Sequence, residues 1–123
     1  MPNINKDFKQ RLVTKTGQVR GDTPVFTNSD VNTSNIYLTV DIDLQDVTIY
    51  LVLELEKEQL GEKIQGVVVN EAAKIVEFNI PPEMLIPGTH KAQYKVVIGN
   101  QIRNSDIFDI LVKKSITTGL GGE

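Results

Sequence analysis

The sequence predicts an all-β fold: an immunoglobulin-like antiparallel β-sandwich with an extended N-terminal arm. Three observations carry this. Apolar residues recur at every second position in five separate segments. Turn-forming residues divide those segments at short intervals. The chain, at 123 residues, has the length of one sandwich domain. Period-two alternation marks a strand with one buried face, because successive side chains point to opposite sides of a sheet.

The first 30 residues read as the arm. Phe8, Leu12, Val13, Val19, Val25 and Phe26 are dispersed among polar residues. One strand fits around Phe8 to Lys15, and Gly17 to Asp30 reads as an extended polar stretch. The sandwich is assigned to residues 31–116. Its first strand alternates Ile36, Leu38, Val40 and Ile42 with Tyr37, Thr39, Asp41 and Asp43. The second carries Val47, Ile49, Leu51, Leu53 and Leu55. Gly66 to Val69 is a short β-branched run. Val76, Phe78 and Ile80 form a third alternation, Ala92 to Ile98 a fourth, and Phe108, Ile110 and Val112 a fifth. Residues 44–46, 59–62, 70–71, 87–89 and 99–101 have turn chemistry.

Three stretches need separate treatment. Glu54 to Lys63 is rich in helix formers, but the Leu51, Leu53 and Leu55 spacing leading into it favours a strand. Asn70 to Lys74 could cap and start a helix. Pro81-Pro82 cannot lie in a central strand, since adjacent residues lack N–H donors. A crossing segment or short helical turn is expected there, packing Met84, Leu85 and Ile86 over an open end of the core. Residues 117–123 have the composition of a Gly-rich tail or linker.

Composition narrows the function. Apolar residues make up 40% and charged residues 24%, with a net charge of −3. That is ordinary for a globular chain. Lys and Arg are spread from Lys6 to Lys114 with no stripe interleaved with aromatics, which argues against nucleic acid, since phosphate neutralisation needs clustered cations. No cysteine is present, so disulfides, thiolate metal sites and thiol nucleophiles are excluded. Met1 to Lys15 is polar and mixed in charge, and no stretch has the length of an apolar span, so neither a signal peptide nor a membrane segment is expected.

No residue set has the pattern of a catalytic centre, and no catalytic, cofactor-binding or metal-binding residue is assigned. His90, the single histidine, has no nucleophile and orienting acid placed beside it by sequence, so a structural or solvent-exposed place is the plainer reading. Asp41, Asp43 and Asp46 form the densest carboxylate group. They lack the loop pattern of a calcium site, and a solvated outer face accounts for them; a loop-bound cation is the alternative. Asn32-Thr33-Ser34 matches a glycosylation sequon, but reads first as turn chemistry. Tyr37 and Tyr50 fall on the outward positions of their strands, open to a sugar or a protein.

Four stretches carry a resemblance. Phe26 to Thr33 has the form F-x-x-x-D-x-N-T and leads into a strand. An aliphatic strand pair then spans Val47 to Val69. Ile80 to Gly88 runs through prolines, an acid and aliphatics to a glycine. Ser105 to Val112 closes with S-x-x-F-x-I-x-V. In this order they resemble the N-terminal domain of the bacteriophage baseplate upper protein family, over about Asp7 to Ile116. The resemblance implies an immunoglobulin-like sandwich in the tail of a phage infecting Gram-positive bacteria. It implies docking on the distal tail ring, with a longer C-terminal part holding receptor-binding proteins or fibres. This chain departs from that pattern by having only the Gly-rich residues after the sandwich and no heptad tail. It is expected to be either an excised domain or a short member with an attachment role.

The function expected is thus a non-catalytic assembly module of a phage tail baseplate, made in the host cytoplasm and resident in the virion. It would dock on the tail ring, link it to host-adhesion parts and form a homo-oligomer, with no cofactor, nucleic acid or membrane. Phe8, Leu12, Phe26, Tyr37 and Tyr50 are the candidate partner contacts. The alternative is a carbohydrate-binding or adhesin-type sandwich, whose patch would combine Tyr37 and Tyr50 with Asp41 and Asp43.

Overall fold

A computed structural model describes residues 6–28, 34–54 and 62–114. They form two sheets packed face to face, the sandwich the alternation predicts. The strands are β1 (Lys6–Val13), β2 (Gln18–Gly21), β3 (Val25–Thr27), β4 (Ser34–Val40), β5 (Val47–Glu54), β6 (Glu62–Gln65), β7 (Val67–Asn70), β8 (Ile75–Asn79), β9 (Gly88–Ile98), β10 (Gln101–Asn104) and β11 (Phe108–Lys113). The first sheet has the order β2-β1-β4-β8-β7 and the second β3-β11-β9-β5-β6, with β10 on part of β9.

Period-two alternation places the core. Ile36, Leu38 and Val40 of β4 and Val76 and Phe78 of β8 point inward from the first sheet. Ile49, Leu51 and Leu53 of β5, Tyr94 and Val96 of β9, and Ile110 and Val112 of β11 meet them from the second. Each such side chain, fully buried, contributes about 1.5–3 kcal/mol of transfer free energy.

Residues 6–28 are not an arm. They supply three strands, which pair into both sheets. β1 lies between β2 and β4, and β3 lies on β11. The alternation of β1 is hidden in the sequence because its inward positions are Phe8, Gln10 and Leu12, and the middle one is polar. Gln10 is buried nonetheless. Its Nε2 donates to the Asp22 carbonyl at 2.9 Å, and its Oε1 accepts the Tyr94 hydroxyl. A buried polar group is tolerated when its bonds are made. The boundaries expected at 30/31 and 116/117 fall outside the described residues.

The sheets are also not purely antiparallel. β1 runs parallel to β4, and β3 runs parallel to β11. The cause is the path of the chain. After the β1–β2 hairpin it crosses to the second sheet for β3, then returns for β4. β4 therefore reaches β1 by a crossover, and a crossover delivers a parallel neighbour.

Smaller differences have local causes. β4 stops at Val40, because the Asp41 carboxylate takes the Thr14 N–H and hydroxyl at 3.1 and 2.6 Å and bends the chain. Asn70 starts a turn rather than a helix. Its Oδ1 accepts the Ala73 N–H at 2.9 Å, and Lys74 then enters the left-handed region at φ 60°. Glu62 to Gln65, at the end of the helix-former stretch, forms β6; Leu55 to Gly61 lies outside the described residues. Pro82–Met84 is a short 3-10 turn, as the prolines suggest. Leu85 is buried beneath it and Met84 packs on the core, but Ile86 faces outward, 39% exposed.

Gly66 is the single residue between β6 and β7, which belong to different sheets. Its N–H donates to the Ile49 carbonyl at 2.8 Å. A Cβ there would stand 2.3 Å from Val76 Cγ1 and 2.8 Å from Phe78 Cζ. The chain changes sheets over the core at a point where no side chain fits.

Candidate docking surface

His90 is buried at 5% exposure. Its Nε2 lies 2.5 Å from the Ile86 carbonyl oxygen and its Nδ1 lies 3.3 Å from that of Glu54. The shorter approach assigns the donated N–H to Nε2. The ring pins the β9 start to the end of β5, a structural place. Two of the three carboxylates of the acidic loop, Asp41 and Asp43, accept backbone N–H groups. Asp41 is held by Thr14, whose hydroxyl keeps its carboxyl below the usual carboxylate range. Asp43 accepts the Gln45 N–H at 3.1 Å, and Asp46 sits at φ 59°. No group of three or more metal-ligating side chains converges among the described residues.

The five candidate contacts separate into two kinds. Leu12 and Phe26 are buried at 1% and 0% exposure, which spends them on the core rather than on a partner. Phe8 is half-buried and meets Phe26 edge-on, with ring centroids 5.1 Å apart at 85°. It ties β1 to β3, hence one sheet to the other. Tyr37 and Tyr50 do lie on outward positions, both half-buried.

The two tyrosines stand on opposite sides of the sandwich. Tyr37 belongs to β4 of the first sheet and Tyr50 to β5 of the second. One glycan patch cannot use both. Each is also engaged locally. The Tyr37 hydroxyl donates to Glu77, its cross-strand neighbour on β8, and that carboxylate pushes its pKa up to about 12. The Lys63 Nζ lies 4.5 Å from the centroid of the Tyr50 ring, within cation–π range.

Three surface features are not evident from the sequence. Val67, Val68 and Val69 on the edge strand β7 are 61, 45 and 49% exposed. Ile102 and Ile107 stand out at 62 and 64% on the β10 side of the second sheet. Lys9, Arg11 and Arg20, scattered in sequence, line one groove with Gly21 and Thr39 on the first sheet. Three β-branched residues in a row, with no polar alternation, were the available sign of the first. Register alone reveals the third.

A solved structure, titled as the N-terminal domain of phage TP901-1 ORF48, shares this fold. It superposes with a TM-score of 0.66 at 13% identity, covering 88% of this chain and 98% of that one. No family model matches the sequence, and no curated protein matches it. The likeness is one of fold, and it extends over nearly the whole of both chains.

Proposed function

We propose that this protein is a structural component of a phage tail baseplate. In this reading it is a non-catalytic module that docks on the distal tail ring, connects it to host-adhesion parts and forms a homo-oligomer in the virion. One observation carries most of the weight: the fold coincides with a domain of a phage protein over 98% of that domain. The motifs at Phe26 to Thr33, Ile80 to Gly88 and Ser105 to Val112 point the same way independently.

The physical properties suit the role. A docking module needs a stiff scaffold, and here both sheets are tied together by a continuous core. It also needs surfaces that accept a neighbour's backbone, and β2 and β7 end the first sheet with open edges among the described residues. Tyr37 and Tyr50 supply contacts on two opposite faces, which suits a part wedged between neighbours better than one that holds a single glycan.

Co-expression with the distal tail ring protein of the same phage tests the docking. A complex that co-elutes in size-exclusion chromatography is the expected result. Separate elution of two folded proteins would count against docking on the ring.

A further inference from the structure

Charge and an open strand edge coincide at β2. It ends the first sheet, and no strand pairs with its far side among the described residues. The Asp22 N–H donates to the Lys9 carbonyl at 3.0 Å, which fixes the phase of the β1–β2 ladder. Alternation then turns the backbone groups of Val19 and Gly21 away from β1, toward the open edge. Gly21 has φ 113°, and a Cβ would stand 2.4 Å from the Lys9 carbonyl oxygen on the β1 side, so the close approach of β2 to β1 at this point requires glycine.

Beside this edge lies a concentration of positive charge. Arg11 and Arg20 are directly opposite each other in the ladder, a like-charge pairing that disfavours the pair. Lys9 occupies the next outward position on β1. The three line a shallow groove with Gly21 and Thr39. None of the three forms an ion pair among the described residues; the Lys91–Asp109 bridge at 2.7 Å lies in the second sheet. On a chain of net charge −3 this is a local reversal of sign.

We propose that the β2 edge is a strand-addition site for an extended acidic segment of a partner protein. An added strand takes its backbone hydrogen bonds from Val19 and Gly21. Carboxylates at its alternate positions stand over Arg20, Arg11 and Lys9 and relieve their mutual repulsion. A bare polyanion satisfies the charges but not the ladder. The β7 edge lacks this complementarity, since Val67 to Asn70 carries no charge. The proposal does not depend on the tail reading and holds for any partner with such a segment.

The test uses the isotope-labelled full chain and two short capped peptides, one alternating Glu with Val and one alternating Lys with Val. The Glu peptide is expected to shift the Val19, Arg20 and Gly21 amides. Its affinity should fall about fivefold or more between about 50 and about 300 mM salt. The Lys peptide should leave those amides unmoved. Arg20→Glu faces Arg11, so it replaces a like-charge pair by an ion pair and keeps the fold. That variant should lose the preference for the Glu peptide, because the new carboxylate neutralises Arg11 and leaves Lys9 as the one uncompensated cation of the groove. Four results would overturn the proposal: equal response to both peptides, shifts confined to Val67–Val69, no shift at millimolar peptide, or an unchanged preference in Arg20→Glu. Inorganic polyphosphate that competes for the charges without moving the Val19 and Gly21 amides is the expected control; polyphosphate that reproduces the peptide shifts would also overturn it.

Discussion

Tyr94→Ala is expected to lose about 3–5 kcal/mol of stability, a large part of the about 5–15 kcal/mol that holds a domain folded. Tyr94 is fully buried and joins the sheets in two ways, through its ring and through its hydroxyl. Its ring stacks on Phe108 of its own sheet, with centroids 5.0 Å apart, and lies 5.4 Å from Phe78 of the other. Its hydroxyl donates to Gln10 on β1. Its backbone N–H donates to Ser105 Oγ at 2.9 Å. Alanine keeps only the last of these and leaves a ring-sized cavity. Tyr94→Phe isolates the hydroxyl. It keeps the ring but leaves Gln10 Oε1 buried without its donor, at a cost of about 1–3 kcal/mol. Urea denaturation midpoints of the two variants separate the ring from the hydroxyl. An Ala variant no worse than the Phe variant would mean the ring does not bridge the sheets as described.

Gly66→Ala is expected to cost about 1–3 kcal/mol, although it adds one methyl group. The added carbon meets Val76 and Phe78 at distances no packed Cβ tolerates. Both neighbours are core side chains, Val76 at 2% and Phe78 at 0% exposure, with no open space to swing into. The effect is one of packing, so a smaller neighbour should relieve it. Phe78→Leu in the Gly66→Ala background should cost less than the two single changes added together. Additive effects would show that the crossing is not wedged against Phe78.

The sandwich was legible because its central strands alternate without a break. Ile36 to Val40, Val47 to Leu53 and Ala92 to Val96 carry an apolar residue at each inward position. The strand expected around Phe8 to Lys15 is β1, but its place within the sandwich was hidden because Gln10 takes an inward position and is satisfied by Asp22 and by Tyr94, which is 84 residues away in sequence. A local pattern cannot show that a polar residue has a distant partner. The parallel pairings escaped for a related reason. Alternation says which face a strand buries but not which neighbour it takes, and β3, only three residues long, has too little pattern to place.

Surface readings fared by the same logic. Outward positions for Tyr37 and Tyr50 follow from alternation, and both hold. Their separation onto opposite faces depends on which sheet each strand joins, and that is a property of topology. Leu12 and Phe26 read as arm contacts because their surroundings are polar in sequence, yet the core claims them. Arg11 and Arg20 are nine positions apart in the chain and become neighbours through the β1–β2 register alone.

The central claim is that this chain is part of a phage tail. Immunogold electron microscopy addresses it most directly, using antibody raised to the folded protein and phage particles induced from the source organism. Gold clustered at the tail tip is the expected result. Particles free of gold, with label on cells or in the medium, would contradict the baseplate reading.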